Sequence, residues 1–334
     1  MARVQARLYR GTPSNLRRLA AALRRGELVA VPTETVYGLA GDATNPAACR
    51  SIFRAKRRPS NDPLIVHIHA LRQLELLAEV NGAARVVARA FWPGPLTLVL
   101  PKKPSVPAVV TSGGDSVAVR MPAHPLFRKL LRLTDRPLAA PSANPFGYVS
   151  PTSADHVRAG LGNRIRHILD GGSCPIGVES TILDLRDPRR PVVLRPGAIS
   201  ARELSSVLGV RVGSLRRATP AQGPVAAPGL LARHYSPRTP ITLYRGRPPV
   251  VPSDEARVFF AAPKRVQLAA NEFVLSSDGT GEAAAHRLFA LLRELDAGTW
   301  RHLHLQRAPA TVALAPALND RLQRAAARDR VQSA

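Results

Sequence analysis

Six short polar segments carry the residue types that could do chemistry in this chain, and each falls where an apolar run ends. The first, PTETVYGLAGDA (32–43), offers hydroxyls at Thr33, Thr35 and Tyr37 beside Gly38 and Gly41. The second, AKRRPSNDPLIVHI (55–68), sets Lys56, Arg57 and Arg58 next to two prolines that hold the chain extended. Three adjacent cations at a stiff turn suit a triphosphate, because arginine offers paired donors and lysine a point charge. Taken alone, the segment also reads as a solvated helix end. SVAVRMP (116–122) puts Arg120 at the end of an apolar strand, where it needs an anionic partner, either a carboxylate of the protein or one on a ligand. APSANPFGYVSPT (140–152), GVEST (177–181) and LRPG (194–197) repeat the theme with Ser142, Ser150, Ser180 and Arg195 near glycine. Ligands collect where strand ends converge, so these loops imply one composite site with His67 as its only histidine. Such a site suits a polyanion and a small zwitterion, and works by positioning and charge stabilisation.

The elements that must position these loops are legible as a change of period. Strands are expected at 28–31, 64–68, 96–100, 117–120, 165–169, 181–185 and 192–194, with helices at 46–55, 70–79, 82–91 and 124–133. An earlier helix follows Thr12 and Pro13, with a Leu16, Leu19, Leu23 stripe. Thr152 with Asp155 and Ser200 with Glu203 have capping-box spacing. From 212 to 240 the pattern collapses into Pro, Gly, Ala and Arg, as in a linker. A second block follows, with strands at 241–245, 256–261, 272–276 and 302–305 and helices at 281–297 and 316–328. The expected class is α/β (mixed α+β), divided into a domain at 1–211, a linker at 212–240 and a smaller Rossmann-like α/β domain at 241–334.

Composition narrows the function classes. No stretch approaches the roughly 18 apolar residues of a membrane helix and the opening MARVQARLYRG has no apolar run, so a soluble, cytoplasmic protein without membrane contact is expected. Cys49 and Cys174 are too few for a disulfide framework or a four-thiolate zinc site. The net charge of +25 invites a nucleic-acid reading, but only five of the 48 basic residues are lysines, a skew that looks like genomic base composition. The excess is spread as +17 over 1–212 and +8 over 213–334, so a dedicated nucleic-acid binder is not expected, while weak tRNA affinity stays open. There is no GxxxxGK[ST], GxSxG or HExxH motif. Gly279-Thr280-Gly281 with Ala284 reads as a plain helix start, and the pairs His67/His69 and His302/His304 share strand faces without a third metal ligand.

PTETVYGL, KRRPSNDPLIVHI, SVAVRMP, APSANPFGYVSPT, GVEST and LRPG stand in the order and approximate spacing of the YrdC-like family, the threonylcarbamoyl-AMP synthases, which residues 9–205 resemble. ARHYSP (232–237), LFALLRELD (288–296) and NDRLQRAA (319–326) are similar to that family's long, two-domain form. The resemblance implies a twisted open sheet with flanking helices, concave on the ligand side. It further implies an enzyme that condenses L-threonine, bicarbonate and ATP into L-threonylcarbamoyl-AMP with release of pyrophosphate, using Mg²⁺ with the ATP. A separate tRNA threonylcarbamoyl transferase, a downstream partner, would then modify an adenosine beside the anticodon. By the same resemblance Thr35, His67, Arg120, Ala140 and Ser180 fall at threonine contacts, and Lys56, Arg58, Asp62, Ser116, Ser142, Ser150 and Arg195 at ATP contacts. His234 and Tyr235 match linker residues that fold over the nucleotide, and Lys56 and Arg58 are the catalytic pair that steadies charge on the phosphates. The family often has Asp then Asn before the second motif's proline; here Asn61 precedes Asp62, so either could face ATP.

Overall fold

The computed structural model describes residues 5–215, 234–263 and 267–327, which divide into two compact units. In the first unit the helices are α1 (Pro13–Arg24), α2 (Pro46–Lys56), α3 (Leu71–Leu77), α4 (Gly82–Phe91), α5 (Pro125–Thr134), α6 (Ala154–Leu161) and α7 (Ala201–Leu208). Side-chain caps decide where most of them start. Thr12, Asn45 and Asn81 each accept a first-turn amide, with Pro13 and Pro46 at the first helical position of α1 and α2. Ser200 and Glu203 form the expected reciprocal box at α7. At α6 the expectation needs correcting: the cap is Ser153, whose hydroxyl accepts the His156 amide, while the Thr152 hydroxyl lies 3.3 Å from His156 Nδ1. A cap oxygen must reach the second or third helical amide, and Thr152 stands one residue too early.

The strands β1 (Arg7–Arg10), β2 (Val29–Val31), β3 (Gly38–Asp42), β4 (Ile65–His67), β5 (Leu96–Pro101), β6 (Ser116–Arg120), β7 (Leu138–Ala139), β8 (His167–Asp170), β9 (Thr181–Asp184), β10 (Val192–Arg195) and β11 (Gly213–Ser214) join in one mixed sheet. Its order is β1-β8-β2-β3-β7-β4-β6-β5-β9-β10-β11. The two-residue period sends Val29, Val31, Ala40 and Leu169 into a cluster with Leu16, Leu19 and Leu23 of α1 and Phe127, Leu130 and Leu131 of α5. Each such leucine contributes on the order of 1.5–3 kcal/mol. Ala30, Leu39, Val66, Leu98 and Val119 enter the opposite cluster, with Cys49 and Ile52 of α2, Val87 of α4, Val157 of α6 and Leu204 of α7. On the face away from that larger cluster, Ile65, Val99, Ala118, Ile182 and Leu194 make a separate apolar strip across β4, β6, β5, β9 and β10.

Strand β3 lies inside the segment that the sequence presents as a flexible polar loop. Its glycine is there for close approach: a Cβ on Gly38 would stand 3.2 Å from that of Ala140. The second unit has β12 (Ile241–Tyr244), β13 (Ala256–Ala261), β14 (Glu272–Ser276), α8 (Gly281–Ala297), β15 (Leu303–Gln306) and α9 (Ala315–Ala326). Its four strands are all parallel, in the order β12-β15-β13-β14, and Thr280 caps α8 as a plain helix start. Residues 147–149 and 176–178 belong to this unit as well. Of the segment expected as a linker, 213–214 pair as β11, and 216–233 lie outside the described residues.

Candidate active site

Strand register builds the centre of the site. His67 on β4 is the partner of Arg120 on β6, Arg120 of Thr97 on β5, Thr97 of Ile182 on β9, and Ile182 of Arg195 on β10. Register partners share a face, so one row crosses five strands, a span of roughly 19 Å at about 4.8 Å per strand. The row lies on the same face as the apolar strip, because His67, Arg120 and Thr97 are two residues from Ile65, Ala118 and Val99. Arg195 would point to the other face by simple alternation after Leu194. A register shift between Val193 and Arg195 re-aims it. Ser180, just before β9, joins the row: its hydroxyl lies 2.8 Å from Thr97 Oγ1 and accepts Arg195 Nη2 at 3.1 Å.

Arg120 is buried. Nη1 donates to Thr35 Oγ1 at 2.9 Å, Nε to the Gly94 carbonyl at 3.3 Å, and Nη2 stands 2.7 Å from Glu34 Oε1. The anionic partner that the sequence left open is therefore, in this structure, a carboxylate of the protein. Thr33 shapes the turn that presents Glu34 and Thr35: its hydroxyl accepts the Thr35 and Val36 amides at 3.0 and 3.1 Å. His67 is buried beside Arg120, and burial first, then the neighbouring guanidinium, pushes its pKa down to about 3. The ring is thus neutral; it packs on Phe127, and its Nδ1 has no hydrogen-bond partner among the described residues. Ala140, next in line, gives its amide to the Ile65 carbonyl at 2.9 Å.

A second group of cations ends α2. Lys56 is 1% exposed and its Nζ donates to the Ser142 and Asn144 carbonyls, both at 2.6 Å. Burial, reinforced by Arg58, holds its pKa well below the usual lysine range. Arg58 donates to the carbonyls of Asp62 and Pro63 and pairs with the Asp62 carboxylate at 2.9 Å. Arg58 thus neutralises the acid at position 62. Asn61 is the more exposed of the two neighbours. Ser150 donates to Glu179 at 2.5 Å. Ser116 opens onto a cleft of about 410 Å³ lined also by Pro63, Leu64, Ala118 and Arg186. Gly197 of LRPG is required by contact: a Cβ there would fall 2.3 Å from the Thr181 amide nitrogen.

The structure thus brings Thr35, His67, Arg120, Ser180 and Arg195 into one row, with Lys56 tied to Ser142. His234 and Tyr235 belong to the second unit, where Tyr235 is buried against Phe289 and Arg321. Two residues of the row's surroundings escaped the sequence reading, Glu34 and Thr97. The signal for Thr97 was a polar residue at the head of an apolar strand; the signal for Glu34 was an acid between two threonines in a segment short of acids. Among the described residues no group of three or more His, Cys, Asp or Glu side chains could hold a metal. Outside the site, His69 bonds Asp135, His302 bonds Thr242 and His304 bonds Glu255. No helix among the described residues is long and apolar enough to cross a membrane.

A mixed sheet that gathers buried cations and hydroxyls on one face defines a class, and comparison with known proteins identifies it. The chain belongs to the Sua5–YciO–YrdC family, whose model, described as "Telomere recombination", matches residues 21–197, more than half of the chain. Residues 199–327 match a second model, "Threonylcarbamoyl-AMP synthase, C-terminal domain", which places the chain in the long, two-domain form of the threonylcarbamoyl-AMP synthases, enzymes of nucleotidyltransferase type. It is 43% identical over 297 residues to the threonylcarbamoyl-AMP synthase of Pyrococcus abyssi, covering 84% of this chain and 85% of that one. It is 46% identical over 231 residues to the Bacillus subtilis synthase, covering 69% of this chain and 66% of that one. The crystal structure of P. abyssi Sua5 complexed with L-threonine matches at a TM-score of 0.86 and 38% identity, over 96% of both chains.

Proposed function

We propose that this enzyme condenses L-threonine, bicarbonate and ATP into L-threonylcarbamoyl-AMP and pyrophosphate, in the cytoplasm. The product then supplies a tRNA threonylcarbamoyl transferase that modifies an adenosine next to the anticodon. The observation that carries this reading is the register row of His67, Arg120, Thr97 and Arg195 with Ser180 and Thr35 against it, in a chain whose P. abyssi relative has been crystallised with L-threonine. Arg120 is the cation for the threonine carboxylate, with Thr35, Ser180 and the Ala140 backbone around it. Neutral His67 adds a polar atom without a second positive charge. Lys56, Arg58, Ser116, Ser142, Ser150 and Arg195 line the way for ATP, with Asp62 or Asn61 at its edge.

In this scheme the threonine amine forms a carbamate with bicarbonate, and a carbamate oxygen attacks the α-phosphorus of ATP as the bond to pyrophosphate breaks. The attacking oxygen is already anionic and needs no base. Lys56 and Arg58 steady the charge that grows on the phosphates, and the hydroxyls hold the carbamate in line. A magnesium ion brought in with ATP would neutralise phosphate charge beside Lys56 and Arg58. The test is pyrophosphate release from ATP and Mg²⁺ with L-threonine and bicarbonate omitted one at a time and serine as the control amino acid. Release that needs both supports the proposal; turnover indifferent to threonine overturns it.

A further inference from the structure

The carbamate needs no base, but the amine that forms it arrives as an ammonium, and something must take its proton. We propose that Glu34 is this group: it neutralises Arg120 while the site is empty, and when the amino acid enters it exchanges that partner for the substrate ammonium and removes a proton from it. The inference rests on the reading of the site as a threonine site.

Three observations carry it. Glu34 Oε1 and Arg120 Nη2 stand 2.7 Å apart with side chains 9% and 4% exposed, so a positive and a negative charge are held together out of water. A zwitterionic amino acid carries the complementary pair at similar separation; its carboxylate can replace Glu34 at Arg120 only if its ammonium compensates Glu34, because a lone buried carboxylate is strongly disfavoured. Second, both Glu34 oxygens are buried and neither makes a hydrogen bond of good geometry, whereas Glu179 accepts the Ser150 hydroxyl. Acceptor capacity is therefore stored at Glu34. Third, Glu34 is adjacent to Thr35, whose hydroxyl receives Arg120 Nη1, so its carboxylate and the carboxylate-binding end of the row are fixed by one turn. The other charged and titratable groups that feel its charge are His124, Arg128 and Cys174; burial holds His124 and Arg128 down and the Cys174 thiol up to about 12.

The chemistry balances without further reagents. The ammonium gives one proton to the Glu34 carboxylate, leaving a neutral amine and a carboxylic acid. The amine nitrogen bonds to the bicarbonate carbon as a carbon–oxygen bond breaks, and the products are the carbamate and water. Glu34 returns its proton to solvent when the product leaves.

The test is Glu34→Gln in the full-length protein, assayed in both directions. Forward, threonine- and bicarbonate-dependent pyrophosphate release should fall by about 10²-fold or more at pH 7, the usual worth of a positioned base, and recover about tenfold per pH unit as solution supplies free amine. In reverse, ATP formation from threonylcarbamoyl-AMP and pyrophosphate breaks no N–H bond and should stay within about threefold of wild type. That reverse activity also reports a folded site; if the Gln variant does not fold, Glu34→Asp, which keeps the charge but withdraws it by one methylene, should show the same one-sided loss. Equal loss in both directions, or a forward rate that keeps the wild-type pH profile, overturns the role of Glu34. A wild-type protein without threonine-dependent release would instead overturn the underlying reading of the site.

Discussion

Removing the Arg120 guanidinium while Glu34 stays strands a carboxylate in the interior, and the cost can be worked from the geometry. The pair is separated by 2.7 Å and both side chains are more than nine-tenths buried. Breaking such a pair from one side costs roughly 3–5 kcal/mol, whereas replacing both members by apolar groups of similar volume is close to neutral or stabilising. Arg120→Met and Glu34→Leu should therefore each lower the urea midpoint by roughly 1–5 M, at about 1–3 kcal/mol per M. The double variant should return to within about 1 kcal/mol of wild type. Unfolding can be followed by the fluorescence of Trp92, whose indole is buried and donates to the Leu96 carbonyl within the same unit. If the two single losses simply add in the double variant, the charges are not coupled and the account of this pair is wrong.

Other consequences follow from the same geometry. Ser180→Ala removes the hydroxyl shared by Thr97 and Arg195; it should cost about 1–3 kcal/mol of stability and raise the KM for threonine more than it changes kcat, and an unaltered KM would exclude Ser180 from the threonine site. His67, with a pKa of about 3 in place of 6.5, binds its proton more weakly folded than unfolded. Its contribution is complete above about pH 6.5 and is lost as the pH falls toward 3, at about 1.4 kcal/mol per unit, so His67→Gln should flatten the acid limb of the stability profile. Gly197→Ala forces a methyl onto the Thr181 amide; it should lower stability by the amount typical of overpacking, about 1–3 kcal/mol, seen as a lower thermal midpoint, and an unchanged midpoint would show that the LRPG turn can move aside. Lys56→Met leaves the Ser142 and Asn144 carbonyls without their donor, and pyrophosphate release should fall below detection.

What was legible in the sequence were elements whose local signals agree. Helix α4 runs from Gly82 to Phe91 as its periodicity and Asn81 cap require, and the second unit's α8 covers Gly281 to Ala297. Strand β3 was hidden because its two glycines, Gly38 packed close to Ala140 and Gly41 close to Leu28 and Ile52, are the same residues that mark a loop. The polar segments were visible one at a time, since each ends an apolar run. Their assembly was not, because a row such as His67, Arg120, Thr97 and Ile182 depends on which strands become neighbours and in what register. Arg195 is the clearest case: alternation after Leu194 points it away from the site, and only the bulge beside it turns it back. Glu34 was passed over for a similar reason, because nothing in a one-dimensional reading sets an acid in one turn against an arginine more than eighty residues later.

The most direct test of the central claim is the identity of the product. Purified protein given ATP, Mg²⁺, L-threonine and ¹³C-bicarbonate should yield an adenylate whose mass equals AMP joined to threonine through one carbonyl carbon, with that carbon labelled and pyrophosphate formed in equal amount. An unlabelled threonine–AMP adduct, or no adenylate while ATP is consumed, would contradict it.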